Sequence, residues 1–481
     1  MAKAWVVLKF GGTSVSGRKQ WDAIAALAKQ RLDSGYRVLL VCSAVAGVTD
    51  ALQALADHAG KNQSDKIEAL LQRHRELAVE LEIEAEDLVL EAAAEIRQVL
   101  GAIANGQDQA GRFSAMASLL TLGEWLSTRF GERYLARSLP SQWVDARDAL
   151  QAIPEIDVAG RRARLSARCE SGVDEALLQE WSEKPPLLIT QGFVAAHCEG
   201  GSALLGRGGS DTSAALLASR LAAEHVELWT DVPGFFSADP RVVPSARLLQ
   251  TLNYDEALEM AASGAKVVHS RCIRAASDVN IPIWVRDLGQ PDFTGTVIKA
   301  DDGAGAKPVQ GIRSVCRQSN IAVLLLQNLD TREHVGFLAW VFAQISDAGI
   351  SVDLVATSET TTTVAFNKTS NNLDDATLEK LADQLRERCA VTVYPNCAGI
   401  NLVGRGARVA LADIDSGRGF FAERPLLMLS QSANDLCISI LVRSQDAEDL
   451  LKILHESLIV KHLAAGQASA VFGPGWQDIQ H

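Results

Sequence analysis

The chain has no Cys-x-x-Cys pair, although it carries eight cysteines: Cys42, Cys169, Cys198, Cys272, Cys316, Cys389, Cys397 and Cys437. Without paired spacing a structural zinc site is not expected. Several of these cysteines sit in apolar surroundings and suit small core positions. There is no excess of positive charge either. The formal net charge is −13, from 46 Lys and Arg against 59 Asp and Glu, which argues against nucleic acid or an anionic membrane as partner. No apolar run is long enough to span a bilayer. The first residues lack the basic-then-apolar pattern of a signal peptide. These absences together predict a soluble chain in a reducing, cytoplasmic setting.

What is present is material for several cores. A length of 481 residues with 47% hydrophobic content predicts two to four domains. Residues 4–10 and 36–43 read as strands around a helical pattern at 18–34. That is a β-α-β unit, with a parallel pair and a right-handed crossover. From about 51 to 131 apolar residues recur at three- and four-residue spacing, Leu52, Leu55, Ile67, Leu70, Leu77 and Leu81 among them. This predicts a helical insertion in an α/β fold. Strands return at 141–146, 187–194, 282–287 and 294–298. The small, polar run 300–308 reads as a domain boundary. Beyond it the alternation of strands and helices suggests two β-α-β-β-α-β units. The tail 464–481, with Gly466, Gly473, Pro474 and Gly475, reads as linker.

Four segments carry candidate chemistry. In Val6-Val7-Leu8-Lys9-Phe10-Gly11-Gly12-Thr13-Ser14 an apolar run ends in a lysine, two glycines and two hydroxyl residues. That is a strand-to-helix turn, where glycine backbone can approach a ligand and free N–H groups face an anion. Its spacing is neither that of a Walker A loop nor that of a dinucleotide fingerprint. Taken alone it suits a plain turn as well as an anion site. The second segment, Gly206-Arg207-Gly208-Gly209-Ser210-Asp211-Thr212, leads into an alanine-rich helix. Ser210 or Asp211 suits its cap, and the Arg207 fork matches a carboxylate. The third, Trp229-Thr230-Asp231-Val232-Pro233-Gly234, ends a strand in a Pro-Gly turn and is followed by Asp239-Pro240-Arg241. The fourth, Gly264-Ala265-Lys266-Val267-Val268-His269-Ser270, puts a lysine at a helix entry, a place suited to phosphate.

These segments, with Ser43-Ala44-Val45-Ala46-Gly47-Val48-Thr49 and Gly123-Glu124, resemble the aspartate kinases of the amino acid kinase superfamily. The C-terminal units resemble the paired ACT regulatory domains of that family. The resemblance covers all but the tail. It implies a three-layer αβα kinase fold with a mainly parallel sheet over 1–299 and a linker over 300–318. Two βαββαβ ACT-type domains would follow over 319–400 and 401–463, then a tail or linker over 464–481. The implied reaction moves the γ-phosphoryl of ATP, with Mg2+, to the side-chain carboxylate of L-aspartate and gives 4-phospho-L-aspartate. This would be the first step of lysine, threonine and methionine biosynthesis. A carboxylate nucleophile is already ionised at neutral pH, so positioning and charge stabilisation should dominate.

The resemblance also implies roles. Lys9 would stabilise the transferring group, and Asp211 would orient Lys9 or lie near the magnesium. Gly11, Gly12 and Ser14 would join Lys9 at the nucleotide, with Thr230, Asp231, Phe236, Arg241, Lys266 and Val267. Arg207 would clamp the α-carboxylate of aspartate and Glu124 would hold its ammonium. Ser43, Thr49, Gly208, Gly209 and Ser210 would complete that subsite. No metal ligand from the protein is certain. Phe236 stands where many relatives have tyrosine, Thr212 replaces a tyrosine seen in some relatives, and Ser270 follows His269 where proline is frequent.

The regulatory half resembles the lysine-sensitive type. Thr331, His334, Phe337, Leu338, Ser351, Val352, Asp353, Ser358 and Glu359 would form the effector region. Asp353 and Glu359 would take ammonium groups, and backbone at Phe337, Leu338 and Val352 a carboxylate. ACT units usually pair, so a homodimer or larger assembly is expected. Some aspartate kinases are fused to a following diaminopimelate decarboxylase, and the tail fits the kinase part of such a fusion. Two other readings stay open: an amino acid kinase acting on another carboxylate such as glutamate, and a catalytically silent amino-acid sensor. A silent chain would be expected to lack Lys9 or Asp211, and both are present.

Overall fold

A computed structural model describes residues 3–106, 108–154, 160–265, 267–301, 310–327, 335–410, 425–464 and 471–479. Lys266, Thr331 and His334 lie outside the described residues. The chain forms two compact units. The first comprises Met1–Gly234, Thr251–Tyr254 and Val267–Ala300, and the second Phe235–Gln250, Asp255–Lys266 and Asp301–His481. Two stretches of the expected 1–299 kinase domain therefore pack with the second unit.

The first unit is built on an eight-stranded sheet. Its order is Ser141–Trp143, Leu187–Gln191, Arg37–Cys42, Trp5–Phe10, His225–Thr230, Ile283–Asp287, Thr296–Lys299, Thr251–Asn253. Every pairing is parallel except that of Ile283–Asp287 with Thr296–Lys299. Strands covered on both faces need apolar residues at every position, which is why Val6, Val7, Leu8 and Val38 to Val41 are all fully buried. The helical insertion appears as four helices, Val48–Asp57, Ser64–Leu81, Glu86–Ala104 and Gln109–Leu135. Their apolar faces join Leu8, Phe10 and Trp21 in one core.

One charge is sealed inside this unit. Glu227, in the strand His225–Thr230, has no exposed surface. It accepts hydrogen bonds from Arg31 Nε at 2.7 Å and Nη2 at 3.2 Å, and from Trp229 Nε1 at 3.0 Å. His225 Nε2 lies 3.1 Å away, and its ring stacks on Trp284. Burial alone would raise the Glu227 carboxyl, but His225 and Arg31 outweigh it and hold it below the usual range.

The second unit has a six-stranded antiparallel sheet. Its order is Leu354–Thr357, Thr361–Asn367, Ser314–Gln327, Ala390–Val403, Cys437–Arg443, Met428–Gln431. The two central strands are 14 residues each and run through both halves of the sheet. The expected boundary at 400/401 falls inside one of them, and part of the expected linker begins the other. Helices Phe337–Asp347 and Asp375–Leu385 cover one half through Val341, Ile345, Leu378 and Leu381. The helix Ala447–His455 buries Leu450, Leu451 and Leu454.

The tail differs from the linker expected of it. Phe472–Gly475 pairs antiparallel with Arg247–Leu249, and Trp476 meets the Phe236 ring edge-on at 5.3 Å. Glycine and proline punctuation concealed two aromatic anchors. No helix among the described residues is long and apolar enough to cross a membrane.

Candidate active site

In an open parallel sheet, ligands gather beyond the carboxyl ends of the strands. The first unit places its candidate residues there. Lys9 is the penultimate residue of Trp5–Phe10 and pairs in register with Val41 and Leu228. Its Nζ lies 2.6 Å from Asp211 Oδ1, with both side chains largely shielded from water. The ammonium also folds back over Gly11, where an added Cβ would meet it at 3.7 Å. The chain then enters a 3-10 turn, Gly12–Val15, in which the Ser14 N–H bonds the Gly11 carbonyl.

Gly12 packs against the next loop. A Cβ there would lie 2.8 Å from the Ala44 carbonyl, and the Ala46 N–H donates to the Gly12 carbonyl at 3.2 Å. The second loop, Ser43 to Gly47, opens the helix Val48–Asp57 with Thr49 in its first turn. It is tied to the long helix Gln109–Leu135, because Ser127 Oγ donates to the Ser43 carbonyl at 2.6 Å. The same helix carries Glu124. That carboxyl is 3% exposed, and its Oε2 is buried with no hydrogen-bond partner among the described residues. Burial pushes its pKa up to about 8, despite its own N–H and that of Ala44, which act to lower it. A carboxyl isolated in this way suits a cationic ligand, which would supply the missing charge.

Asp211 sits in the first turn of the helix Gly209–Arg220, capped by Gly208 at φ 65°. That left-handed conformation favours glycine, and a Cβ would also strike His269 at 2.3 Å. Arg207, just before it, is exposed and makes no ion pair among the described residues. It stands free to meet an anion. Ser210 packs against Gly192, where a Cβ would come within 2.7 Å of it. At the end of His225–Thr230, Thr230 Oγ1 donates to Asp231 Oδ1 at 3.1 Å. Val267 is half-buried in the same unit.

Sequence reading missed His269. Its Nδ1 caps the helix Ser270–Ser277 by accepting the Arg271 N–H. Burial and then Arg271 hold the imidazole below its usual pKa, opposed by Asp211. The signal was its place three residues after Lys266, inside a motif already singled out.

The second unit holds the remaining candidates. Phe236 is buried on Trp476, so its ring serves packing. Arg241 is 84% exposed and held by Asp239 at 3.1 Å. Among the effector candidates, Phe337 and Val352 belong to the core beneath the sheet. Leu338 is exposed, as are Ser351, Asp353, Ser358 and Glu359. The Asp353 carboxylate accepts the Asn367 N–H. Ser351 is fixed through its backbone to the Asn371 side chain, and Ser358 Oγ accepts the Thr361 N–H.

Comparison with known proteins agrees with this layout. Residues 4–287 match the model of the amino acid kinase family. The chain is 31% identical to lysine-sensitive aspartokinase 3 of Escherichia coli K12, over 94% of this chain and 99% of that protein. It is 29% identical to an aspartokinase of Schizosaccharomyces pombe, over 99% and 97% of the two chains. A solved structure of the E. coli enzyme with aspartate and ADP superposes with a TM-score of 0.76 at 30% identity, covering 94% of this chain and 99% of that one. Its complex with lysine and aspartate gives 0.72, at the same identity and coverage.

Proposed function

Because the chain belongs to the amino acid kinase family, and within it to the aspartokinases, we propose that its site phosphorylates L-aspartate from ATP and that L-lysine restrains it. The observation that carries the substrate side is Glu124, a buried carboxyl with an oxygen left unpaired among the described residues. An α-ammonium group satisfies it, and Arg207 takes the α-carboxylate. The side-chain carboxylate of aspartate is then the nucleophile and needs no general base. Lys9, steered by Asp211, offsets the charge that gathers on the transferring phosphoryl group. A sensor without catalysis has no use for that pair.

Mg2+ enters with the nucleotide. Among the described residues no cluster of three acidic, histidine or cysteine side chains could hold a metal alone, and Mg2+ commonly binds through substrate phosphates and one or two carboxylates. Asp211 is the carboxylate best placed to help, and the ion would offset phosphate charge. The cytoplasmic setting and a homodimeric or larger assembly are part of the same reading. Light scattering of the purified chain checks the assembly.

A coupled ADP-release assay tests the reaction. Turnover is expected with L-aspartate and not with L-glutamate, and L-lysine should suppress it. Inhibition by threonine alone would overturn the lysine assignment. Asp353→Ala should raise the lysine concentration for half-inhibition at least about tenfold, corresponding to about 1.4 kcal/mol. An unchanged value would remove Asp353 from the effector site.

Glu124 predicts a pH dependence. With a pKa of about 8 in the free protein, most molecules carry the proton at pH 7. Aspartate binding requires the ionised form, so the KM for aspartate should fall as pH rises from 7 towards 8. Binding should also release close to one proton at pH 7, measured by calorimetry in two buffers of different ionisation enthalpy. Glu124→Gln should abolish that release. For stability the sign is opposite. The folded chain binds a proton that the unfolded chain loses near 4.5, so this group weakens folding as pH rises from about 4.5 to 8.

A further inference from the structure

We propose that the second unit carries a binding site of its own for a small amphipathic anion, a carboxylate on an apolar tail. The site is a cavity of about 420 Å³, within the range of small-molecule pockets. Every described residue that lines it belongs to the second unit. None of the effector candidates among the described residues is part of it.

Its walls are mostly apolar. Leu458, Ile459 and Leu463 line it from the helical run after His455, and Ile312 and Phe472 add to them from elsewhere in the chain. Leu458 and Ile459 belong to a π-helical turn, Glu456–Val460. Such turns are rare and recur at functional sites. This one forms part of the cavity wall. Val409 also lines the cavity and is 66% exposed, with the exposed Gln310 beside it in the lining. The cavity therefore opens to solvent at an apolar lip. A ligand tail that covers Val409 takes that surface out of water, which favours binding.

The fixed charges in the lining have one sign. Arg313 and Arg405 line the cavity, and among the described residues no aspartate or glutamate does. The acids that hold these arginines stand outside the lining. Arg313 Nε lies 3.2 Å from Glu256 Oε1, both side chains nearly sealed from water. Arg405 Nη2 lies 2.5 Å from Asp301 Oδ2. An ion pair of this kind fixes a guanidinium without using all of its fork, since the group has five N–H donors and a carboxylate takes two of them side by side. The Arg405 side chain is 24% exposed, so a ligand entering past Val409 can reach it. An apolar cavity whose charged lining is cationic selects a ligand with an apolar body and an anionic head.

Calorimetric titration of the full-length chain with octanoate, octan-1-ol and octylammonium tests this. The three share a tail and differ in the charge of the head. Octanoate should saturate at one molecule per chain, with a Kd at least about tenfold below that of octylammonium and about threefold below that of octan-1-ol. Val409→Asp puts an acid at the lip, at a position already in water. It should weaken octanoate at least about fivefold and tighten octylammonium. Arg405→Gln should weaken octanoate by a similar factor and leave octan-1-ol within about twofold. Circular dichroism checks that both variants fold, and Val409→Asp decides alone where Arg405→Gln does not. Absence of saturable octanoate binding, equal affinity for the three heads, or an octanoate Kd unchanged in Val409→Asp would overturn the site. Equal losses of octanoate and octan-1-ol in folded Arg405→Gln would overturn the choice of an anion.

Discussion

Lys9→Met should lower kcat by about 10²–10³-fold, the usual loss of about 2.7–4 kcal/mol when one preorganised group facing transition-state charge is removed. Methionine follows the lysine stem as far as Cε and tolerates the shielded position, so folding should survive. The KM for aspartate should move little, because Glu124 and Arg207 are untouched. The local argument is the 2.6 Å bond to Asp211. It places the ammonium over the Gly11 backbone, at the entry to the turn Gly12–Val15. Asp211→Asn should fall between parent and Lys9→Met, since it frees the ammonium without removing it. Coupled kinetics with circular dichroism as a folding control check both variants. A Lys9→Met enzyme within tenfold of the parent kcat would remove Lys9 from the chemistry.

The largest effect on stability is expected far from that lysine. Arg31→Ala leaves the Glu227 carboxylate sealed in the sheet without its cation. Breaking a buried pair in this way costs about 3–5 kcal/mol. For a unit of this size that lowers the thermal midpoint by on the order of 10 °C. Arg31→Leu/Glu227→Leu should cost much less, because no uncompensated charge remains. The sign with pH follows from the bonds to Glu227. Its carboxyl is held below the ordinary 4.5, so the stabilisation is full above that value and fades as pH falls through the lower folded value. The gap between parent and Arg31→Ala should therefore close in acid. A denaturation series run from pH 7 downward reads this directly. A gap that keeps its full size at every acid pH at which the parent still folds would mean the loss comes from packing.

Much of the first unit was legible because its signals are local. The run Val6 to Phe10 has no polar interruption until Lys9, which marks a doubly covered strand and its functional end. The helical insertion declared itself by leucine spacing. The second unit was read less well. Its repeat was visible, but the boundary at 400/401 cut through Ala390–Val403. No residue there changes character where the strand passes from one half of the sheet to the other. The tail was read as linker since three glycines and a proline outweighed Phe472 and Trp476, whose partners, Leu249 and Phe236, lie far along the chain. His269 had no motif of its own. It matters for what it touches, Gly208, and such a pairing is set by tertiary structure.

The interleaving of the two units bears on how such a chain can be divided. The backbone passes from one unit to the other after residues 234, 250, 254, 266 and 300. A gene cut at codon 300, where composition suggests a joint, would yield a fragment carrying Phe235–Gln250 and Asp255–Lys266 without the sheet they pack on. Such a fragment would part Phe236 from Trp476. Inheritance works under the same restriction. Recombination at that joint separates residues that must be made together, so the two halves should travel through evolution as one cistron.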